Sequence, residues 1–178
     1  MDALLFASFT KLVLVHEGGL SLNPRDPGGA TNYGISLRYL KAMGLLGDID
    51  HDGDVDIDDI RALTPELTLP FYKSSFYNPM RIGDFTNAAL AIQVYDFGVN
   101  AGCYRAIKTL QQLLKIEPDG KMGPNTIHFT NLADWQSFPT LYRMEREDFY
   151  RLLVKKKASL EEFLKGWINR AEHCSIKS

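Results

Sequence analysis

The sequence lacks several features that would place it outside the ordinary globular proteins. It has only two cysteines, Cys103 and Cys174, which are far apart and not in metal-type spacing, so no disulfide framework is expected. No run of 18 apolar residues occurs, so no membrane span is expected. The net charge of −2 lacks the basic excess typical of nucleic-acid-binding proteins. With 178 residues, the chain is long enough to bury a core without disulfides.

Alternation of polar and apolar residues at period two, typical of half-buried strands, is almost absent as well. Helical spacing is present instead, first at Leu5, Phe9, Leu12 and His16, and Gly18 and Gly19 end this helix. Further helices are predicted over residues 36–46, from Pro65, and over 88–98, 103–115, 139–154 and 160–171. The Gly- and Pro-rich stretch leaves room for a short β-hairpin near residues 20–36. We therefore predict a mainly α fold with two packed lobes.

Acidic residues are concentrated in the first half of the chain. Residues 1–88 carry 7 Lys and Arg against 12 Asp and Glu, a net charge of −5, whereas the remainder has a net charge of +3. Seven of the acids are aspartates within residues 48–59. These aspartates would repel one another without a cation, so the charge pattern alone points to a metal site.

The aspartate-rich segment has the residue order of a twelve-residue EF-hand loop. Gly53 lies at position 6, where the loop turns sharply. Asp54 follows at position 7, where an EF-hand loop binds the metal through a backbone carbonyl, and Val55 is at position 8. Position 12 is Asp59 instead of the usual Glu, as in dockerin-type loops. We expect a structural Ca²⁺ here, against the alternative of a solvated acidic loop. The predicted ligand residues are Asp48, Asp50, Asp52, Asp54, Asp56 and Asp59.

A second group of polar residues suggests acid chemistry. Glu17 ends the first helix, where a carboxylate faces the negative end of the helix dipole, a setting that suits a glycosidase general acid. Asp26 follows in the Gly- and Pro-rich loop, and Thr31 could hold a water by its hydroxyl. The alternative is a surface Glu17 and an Asp26 that only forms the turn before Pro27.

Residues 16–20 (HEGGL) and 26–36 (DPGGATNYGIS) closely resemble the start of glycoside hydrolase family 108. These are lysozyme-like N-acetylmuramidases of phage endolysins and bacterial secretion systems that cleave peptidoglycan. The resemblance implies that Glu17 is the catalytic acid. The spacing of Glu17, Asp26 and Thr31 also resembles the Glu-Asp-Thr triad of phage-type lysozymes, which would assign Asp26 and Thr31 to positioning a water. Inverting and retaining chemistry both stay open.

The second half resembles the predicted peptidoglycan-binding domain that usually follows, through residues 95–102 (YDFGVNAG) and 119–126 (DGKMGPNT). We therefore place the muramidase lobe at 1–87 and the peptidoglycan-binding lobe at 88–175. Tyr77 stands where the family pattern leads us to expect Trp. Asn100 could bind an acetamido group or cap its helix. The predicted substrate-binding residues are Gly28, Gly29, Asn32, Tyr33, Tyr77 and Asn100.

The expected function is hydrolysis of the β-1,4 bond between N-acetylmuramic acid and N-acetylglucosamine by a monomer. The alternatives are a non-catalytic peptidoglycan-binding secretion adaptor and a calcium-dependent interaction protein. The N-terminus opens with Asp2, and Lys11 interrupts its apolar run, which argues against a signal peptide. We therefore expect synthesis in the cytoplasm and action on the cell wall after holin- or export-dependent release.

Overall fold

Two compact units make up the chain in the computed structural model, which describes residues 3–22, 29–134 and 136–174. The N-terminal unit is Thr10–Tyr72, and the C-terminal unit combines Met1–Phe9 with Lys73–Ser178. The division after Phe9 falls within the first helix, α1, at Ala3–Glu17.

The N-terminal unit is built from short elements. Its helices after α1 are α2 (Leu37–Ala42), α3 (Ile57–Ala62) and α4 (Pro65–Tyr72), and a single 3₁₀ turn occupies Gly44–Gly47. Strands β1 (Thr31–Asn32) and β2 (Ile35–Ser36) form an antiparallel hairpin with Thr31 opposite Ser36. Ser21 adds a bridge to Thr31 through two backbone hydrogen bonds of 2.8 and 2.9 Å.

Local sequence explains where these elements begin and end. Gly18 adopts φ +77° immediately after α1, a conformation that favours glycine and stops the helix at Glu17. The Ser36 hydroxyl accepts a hydrogen bond from the Tyr39 amide at 3.2 Å and caps α2. Pro65 occupies the first position of α4, where its missing N–H costs nothing.

The C-terminal unit contains the longer helices. They are α5 (Ala88–Ala101), α6 (Cys103–Leu113), α7 (Pro124–Leu132), α8 (Phe138–Lys156) and α9 (Glu161–His173). A π-helical turn at Lys73–Tyr77 and 3₁₀ turns at Ile82–Asp84 and Ala158–Leu160 complete the described elements of this unit.

Helix α5 is the centre of the C-terminal unit. Nine consecutive residues, 90–98, are buried, because α6 and α8 both pack against this helix. Gly98 allows the Met80 side chain to approach closely, since a Cβ at Gly98 would overlap Cε and Sδ of Met80. The sequence of α5 is accordingly apolar on nearly all sides.

A charged cluster lies inside this core. The fully buried Asp96 carboxylate on α5 accepts hydrogen bonds from Arg146 Nη2 at 2.5 Å and Arg170 Nη2 at 2.7 Å. Arg146 Nε also donates to the Tyr150 hydroxyl at 2.9 Å. Burial alone would raise the pKa of Asp96, but the two arginines outweigh it and lower that pKa below its usual value. The cluster therefore connects α5, α8 and α9 through charged groups that are buried or nearly so.

The predicted fold class is confirmed: the described residues are mainly helical with one small hairpin. Two details differ from the sequence prediction. The helix predicted over 36–46 ends at Ala42, and Gly44 with φ +59° begins the 3₁₀ turn that follows. Pro124 begins α7, a helix that the helical spacing of the sequence did not predict. Among the described residues, no helix is long and apolar enough to cross a membrane.

Candidate functional site

Glu17 lies half-buried at the end of α1, against the tip of the β-hairpin. A Cβ at Gly34 would lie only 2.9 Å from Glu17 Oε2 and 3.3 Å from Glu17 Cβ. Gly34 itself has φ +74°, so the hairpin turn and the close approach both require glycine. The carboxylate is thus held at a defined place beside the turn.

Tyr72, at the end of α4, completes this arrangement. Its hydroxyl donates to the Tyr33 carbonyl at 2.9 Å and would lie 2.6 Å from a Cβ at Gly34. The tyrosine is 1% exposed, so its position is fixed by packing. The sequence analysis did not single out Tyr72, because no local motif joins it to a residue 55 positions earlier. It is a positioning residue for the hairpin beside Glu17.

Of the other two predicted catalytic residues, Thr31 and Asp26, only Thr31 lies within the described part of the chain. Thr31 is half-buried in β1, where its backbone pairs with both Ser21 and Ser36. Asp26 lies outside the described residues, as does the predicted substrate-binding residue Gly28. Gly29, the next described residue, has φ +78° and leads into the hairpin. The predicted roles of Asp26 and Thr31 stay predictions.

Asn32 and Tyr33 form the end of β1 and the start of the turn. The Asn32 side chain is 6% exposed and donates to the Ile60 carbonyl at 3.0 Å and the Leu63 carbonyl at 3.4 Å. These bonds connect the hairpin to the end of α3. Tyr33 is half-buried with φ +48°, the left-handed conformation that the turn requires. Asn32 therefore acts structurally on the hairpin that carries Gly34.

Two predicted substrate-binding residues lie in the C-terminal unit. Tyr77 is 7% exposed, and its ring makes edge contacts with Phe6 at 4.8 Å and Tyr95 at 5.9 Å. The side-chain oxygen Oδ1 of Asn100 accepts a hydrogen bond from the Tyr150 hydroxyl at 2.6 Å. The half-buried Asn100 is therefore joined through Tyr150 to the buried cluster around Asp96, and α5 ends at the next residue, Ala101, with Gly102 as its C-cap.

The acidic loop at residues 48–59 brings the predicted ligand residues together in two groups. One carboxylate oxygen from each of Asp48, Asp50 and Asp52 lies within 4.8 Å of the other two, and the same holds for Asp54, Asp56 and Asp59. Gly53 has φ +102° at the turn between the groups, and its amide donates to Asp48 Oδ2 at 3.1 Å. A side chain at position 53 would strain that turn.

The buried Asp59 side chain bonds to the backbone at both ends of the acidic loop. It is 1% exposed, and its two oxygens accept hydrogen bonds of 2.6 Å from the amides of Ile49 and Asp56. Its short side chain therefore joins the start and the end of the loop and also completes a capping box on α3. Asp48 Oδ1 is buried and has no hydrogen-bond partner among the described residues.

Like charges act on the loop carboxylates. Repulsion from Asp52, followed by loss of hydration and repulsion from Asp56, raises the pKa of Asp54. Loss of hydration and repulsion from Asp52 raise the pKa of Asp50. An oxygen-rich, sharply turned loop with an unsatisfied buried carboxylate oxygen has the donor set and charge that suit Ca²⁺.

Comparison with known proteins gives two family matches and a related structure. Residues 10–102 match the family described as Glycosyl hydrolase 108, and residues 105–172 match the Predicted Peptidoglycan domain. The chain is similar to the solved structure of Brucella abortus SagA, with 27% identity over 95% of this chain and 90% of that chain and a TM-score of 0.73. No curated protein matches the chain.

The first match starts within α1 and extends through the whole of α5, whereas the boundary predicted from the sequence, at 87/88, lies at the start of that helix. That boundary stays a prediction. The two matches make peptidoglycan the partner of this protein and place its function among the peptidoglycan-related, lysozyme-like activities. Since the first match covers more than half of the chain, the protein belongs to the glycosyl hydrolase 108 family.

Proposed function

We propose that the protein is an N-acetylmuramidase that cleaves the β-1,4 bond between N-acetylmuramic acid and N-acetylglucosamine. The observation that supports this most directly is the position of Glu17, held at the end of α1 against Gly34 of the hairpin. In this proposal Glu17 protonates the leaving oxygen as general acid. Asp26, with Thr31, activates the attacking water or stabilises the positive charge that develops on the sugar ring.

The test is the loss of turbidity of a peptidoglycan suspension with wild type, Glu17→Gln and Glu66→Gln. Glu66 lies in the first turn of α4 in the same unit and is exposed, so it is the matched control. We expect Glu17→Gln to lose at least about a hundredfold in rate, as removal of a general acid typically does. Glu66→Gln should retain the wild-type rate. Equal rates for all three proteins would contradict the assignment of Glu17.

The products identify the bond. Mass spectrometry of the borohydride-reduced digest should show reduced N-acetylmuramic acid at the new reducing ends. Reduced N-acetylglucosamine there would make the enzyme a glucosaminidase. Binding of wild type to peptidoglycan without any cleavage would favour the alternative function, a peptidoglycan-binding secretion adaptor.

Ca²⁺ at the acidic loop belongs to the same proposal, in a structural role. Two carboxylate triads, the turn at Gly53 and the buried Asp48 Oδ1 support it. We expect Ca²⁺ to raise the melting temperature relative to EDTA, since a ligand that binds only the folded state stabilises it by about 2.7 kcal/mol at a hundredfold excess over Kd.

The matched pair for this site is Asp50→Asn and Asp58→Asn. Asp58 belongs to the same loop, but its carboxylate is exposed and pairs with Arg61 at 2.6 Å. Asp50→Asn should weaken the calcium-induced rise in melting temperature, whereas Asp58→Asn should leave it unchanged. A melting temperature that is the same in Ca²⁺ and in EDTA would remove the metal from the proposal.

Release through a holin or a dedicated export route remains the proposed way for the protein to reach the cell wall.

A further inference from the structure

The tip of the β-hairpin beside Glu17 adopts a conformation that its own sequence does not favour. Strands β1 and β2 are joined by two residues, Tyr33 and Gly34, since Asn32 pairs with Ile35. Their φ values of +48° and +74° identify a type I′ turn, the two-residue hairpin turn in which both central residues have positive φ. Glycine suits the second position, but the first position favours asparagine, aspartate or glycine. A tyrosine there is strained, because a left-handed backbone crowds its Cβ against the carbonyl oxygen.

A contact from outside the hairpin stabilises this turn. The Tyr72 hydroxyl, at the end of α4, donates to the Tyr33 carbonyl at 2.9 Å, and the Tyr72 side chain is 1% exposed. The net contribution of one hydrogen bond is of the same order as the strain of one left-handed residue, so this bond is strong enough to decide the conformation of the turn. Its two partners are 39 positions apart, so the turn depends on the fold around α4 and not on local sequence.

The same turn sets the surroundings of the Glu17 carboxyl group. A Cβ at Gly34 would lie 2.6 Å from the Tyr72 hydroxyl and 2.9 Å from Glu17 Oε2, so both oxygens crowd one side of Gly34. If the turn relaxed toward a negative φ at Tyr33, Gly34 would move and the carboxyl group would lose this support. All four residues belong to the N-terminal unit.

We propose that Tyr72 is a positioning residue for the hydrolytic reaction and that its hydroxyl acts on Glu17 through the Tyr33-Gly34 turn. The bond to the Tyr33 carbonyl selects the type I′ turn, the turn places Gly34, and Gly34 keeps the Glu17 carboxyl group in one orientation. Tyr72 itself makes no contact with substrate in this proposal. The inference rests on the proposed function for the role of Glu17, whereas the dependence of the turn on Tyr72 is tested separately.

Tyr72→Phe removes the hydroxyl and keeps the ring. We expect it to lyse peptidoglycan at least about tenfold more slowly than wild type, because a small displacement of a catalytic group has a large effect on rate. The matched control is Tyr142→Phe in the C-terminal unit, since the fully buried Tyr142 also donates to a backbone carbonyl, that of Ala106, at 2.9 Å. Tyr142→Phe should retain the wild-type rate at a temperature where both variants are folded. Equal slowing by the two variants would overturn the proposal.

Tyr33→Asn distinguishes an effect through the turn from a direct effect of the hydroxyl on the reaction. Asparagine followed by glycine favours a type I′ turn without outside support. In the Tyr33→Asn background, Tyr72→Phe should therefore slow lysis by less than about threefold. Tyr33→Asn is its own reference in this comparison, so any loss of substrate contact by Tyr33 cancels. An undiminished loss of rate in that background would show that the hydroxyl does not act through the turn.

Amide hydrogen exchange at Thr31 tests the turn without reference to activity. The Thr31 amide donates to the Ser21 carbonyl at 2.9 Å within the hairpin. Tyr72→Phe should accelerate its exchange at least about tenfold, whereas Tyr142→Phe should leave it unchanged. Unchanged exchange in Tyr72→Phe would overturn the proposal even if lysis slows. If wild type does not lyse peptidoglycan but Tyr72→Phe still accelerates exchange, the hydrolase proposal fails together with the role of Tyr72 in the reaction, and the dependence of the turn on Tyr72 holds.

Discussion

The two units of this protein maintain their structure by different means. In the N-terminal unit, helices α2 and α3 have only six residues each, and polar side chains such as Asn32 and Asp59 bond directly to the backbone of turns and loops. In the C-terminal unit, helices of up to 19 residues pack around α5, and charged side chains bond to one another inside the core. The candidate acid lies in the first unit and the buried ions lie in the second.

This difference has a consequence for mutation. In the N-terminal unit, Asn32 and Asp59 hold the hairpin beside Glu17 and the acidic loop, so a substitution there should affect local geometry more than overall stability. In the C-terminal unit a substitution at the buried ions should affect stability without touching the candidate acid. The predictions below separate these two outcomes, beginning with the largest.

Asp96→Asn should cause the largest loss of stability. The substitution keeps the shape of the side chain but removes the negative charge that pairs with Arg146, which is fully buried, and with Arg170, which is 7% exposed. Breaking a buried ion pair from one side typically costs about 3–5 kcal/mol. Urea unfolding followed by circular dichroism measures this cost.

The control is Asp84→Asn, which breaks an exposed pair with Arg81 in the same unit. An exposed pair contributes about 0–1 kcal/mol, so this variant should unfold nearly as wild type does. Similar losses for the two variants would contradict the idea that buried ions dominate the stability of the C-terminal unit.

The stability that Asp96 contributes should depend on acid pH. Burial opposes ionisation, but Arg146 and Arg170 hold the pKa of Asp96 below its usual value. A carboxyl group with a lowered folded-state pKa stabilises the fold above its unfolded-state pKa, and this contribution disappears as pH falls through the folded-state value. The difference in unfolding free energy between wild type and Asp96→Asn should stay constant from pH 7 to about pH 4 and shrink below that. A difference that shrinks between pH 7 and pH 5 would point to another titrating group.

Gly34→Ala should reduce lysis more than it reduces stability. The added methyl group would clash with Glu17 Oε2 and the Tyr72 hydroxyl, and φ +74° is unfavourable for alanine. We expect about 2–4 kcal/mol of destabilisation and at least a tenfold loss in the rate of peptidoglycan lysis at a temperature where the variant is folded.

Gly44→Ala is the matched control for this clash. Gly44 has φ +59° in the same unit, but a Cβ there would meet nothing within 4 Å. It should cost about 1–2 kcal/mol through backbone strain alone and should retain the wild-type rate of lysis. If both variants lose activity to the same extent, strain in the unit explains the effect and displacement of Glu17 does not.

The sequence predicted what local patterns encode. Helical spacing predicted the long helices, and Gly18 predicted the end of α1. The order of the aspartates around Gly53 predicted the loop whose carboxylates the structure brings together. These features depend on residues within a few turns of one another, so periodicity and spacing suffice to find them.

The contacts that the sequence did not predict join distant residues. Tyr72 bonds to the Tyr33 carbonyl, Asn32 to carbonyls near residue 60, and Asp96 to Arg146 and Arg170, with separations of 28 to 74 positions. No single-sequence pattern marks such partners, because only the fold brings them together. For the same reason, Asn100 could be considered as a ligand residue or a helix cap, but not as the acceptor for Tyr150.

Two helix caps give the smallest predicted effect and the sharpest comparison of the units. The Ser36 hydroxyl caps α2 and the Asn87 side chain caps α5, through bonds of 3.2 and 3.0 Å to backbone amides. Ser36→Ala and Asn87→Ala should each cost about 1 kcal/mol, since both lose one capping bond. Their effects on lysis should differ, because a weakened start of α2 lies directly after β2, whose backbone pairs with Thr31 in the hairpin beside Glu17, whereas α5 stays fixed by its packing. Ser36→Ala should therefore lower the rate a few-fold at unchanged protein concentration. If Asn87→Ala slowed lysis by the same factor, activity would follow overall stability, and the separate roles inferred for the two units would be wrong.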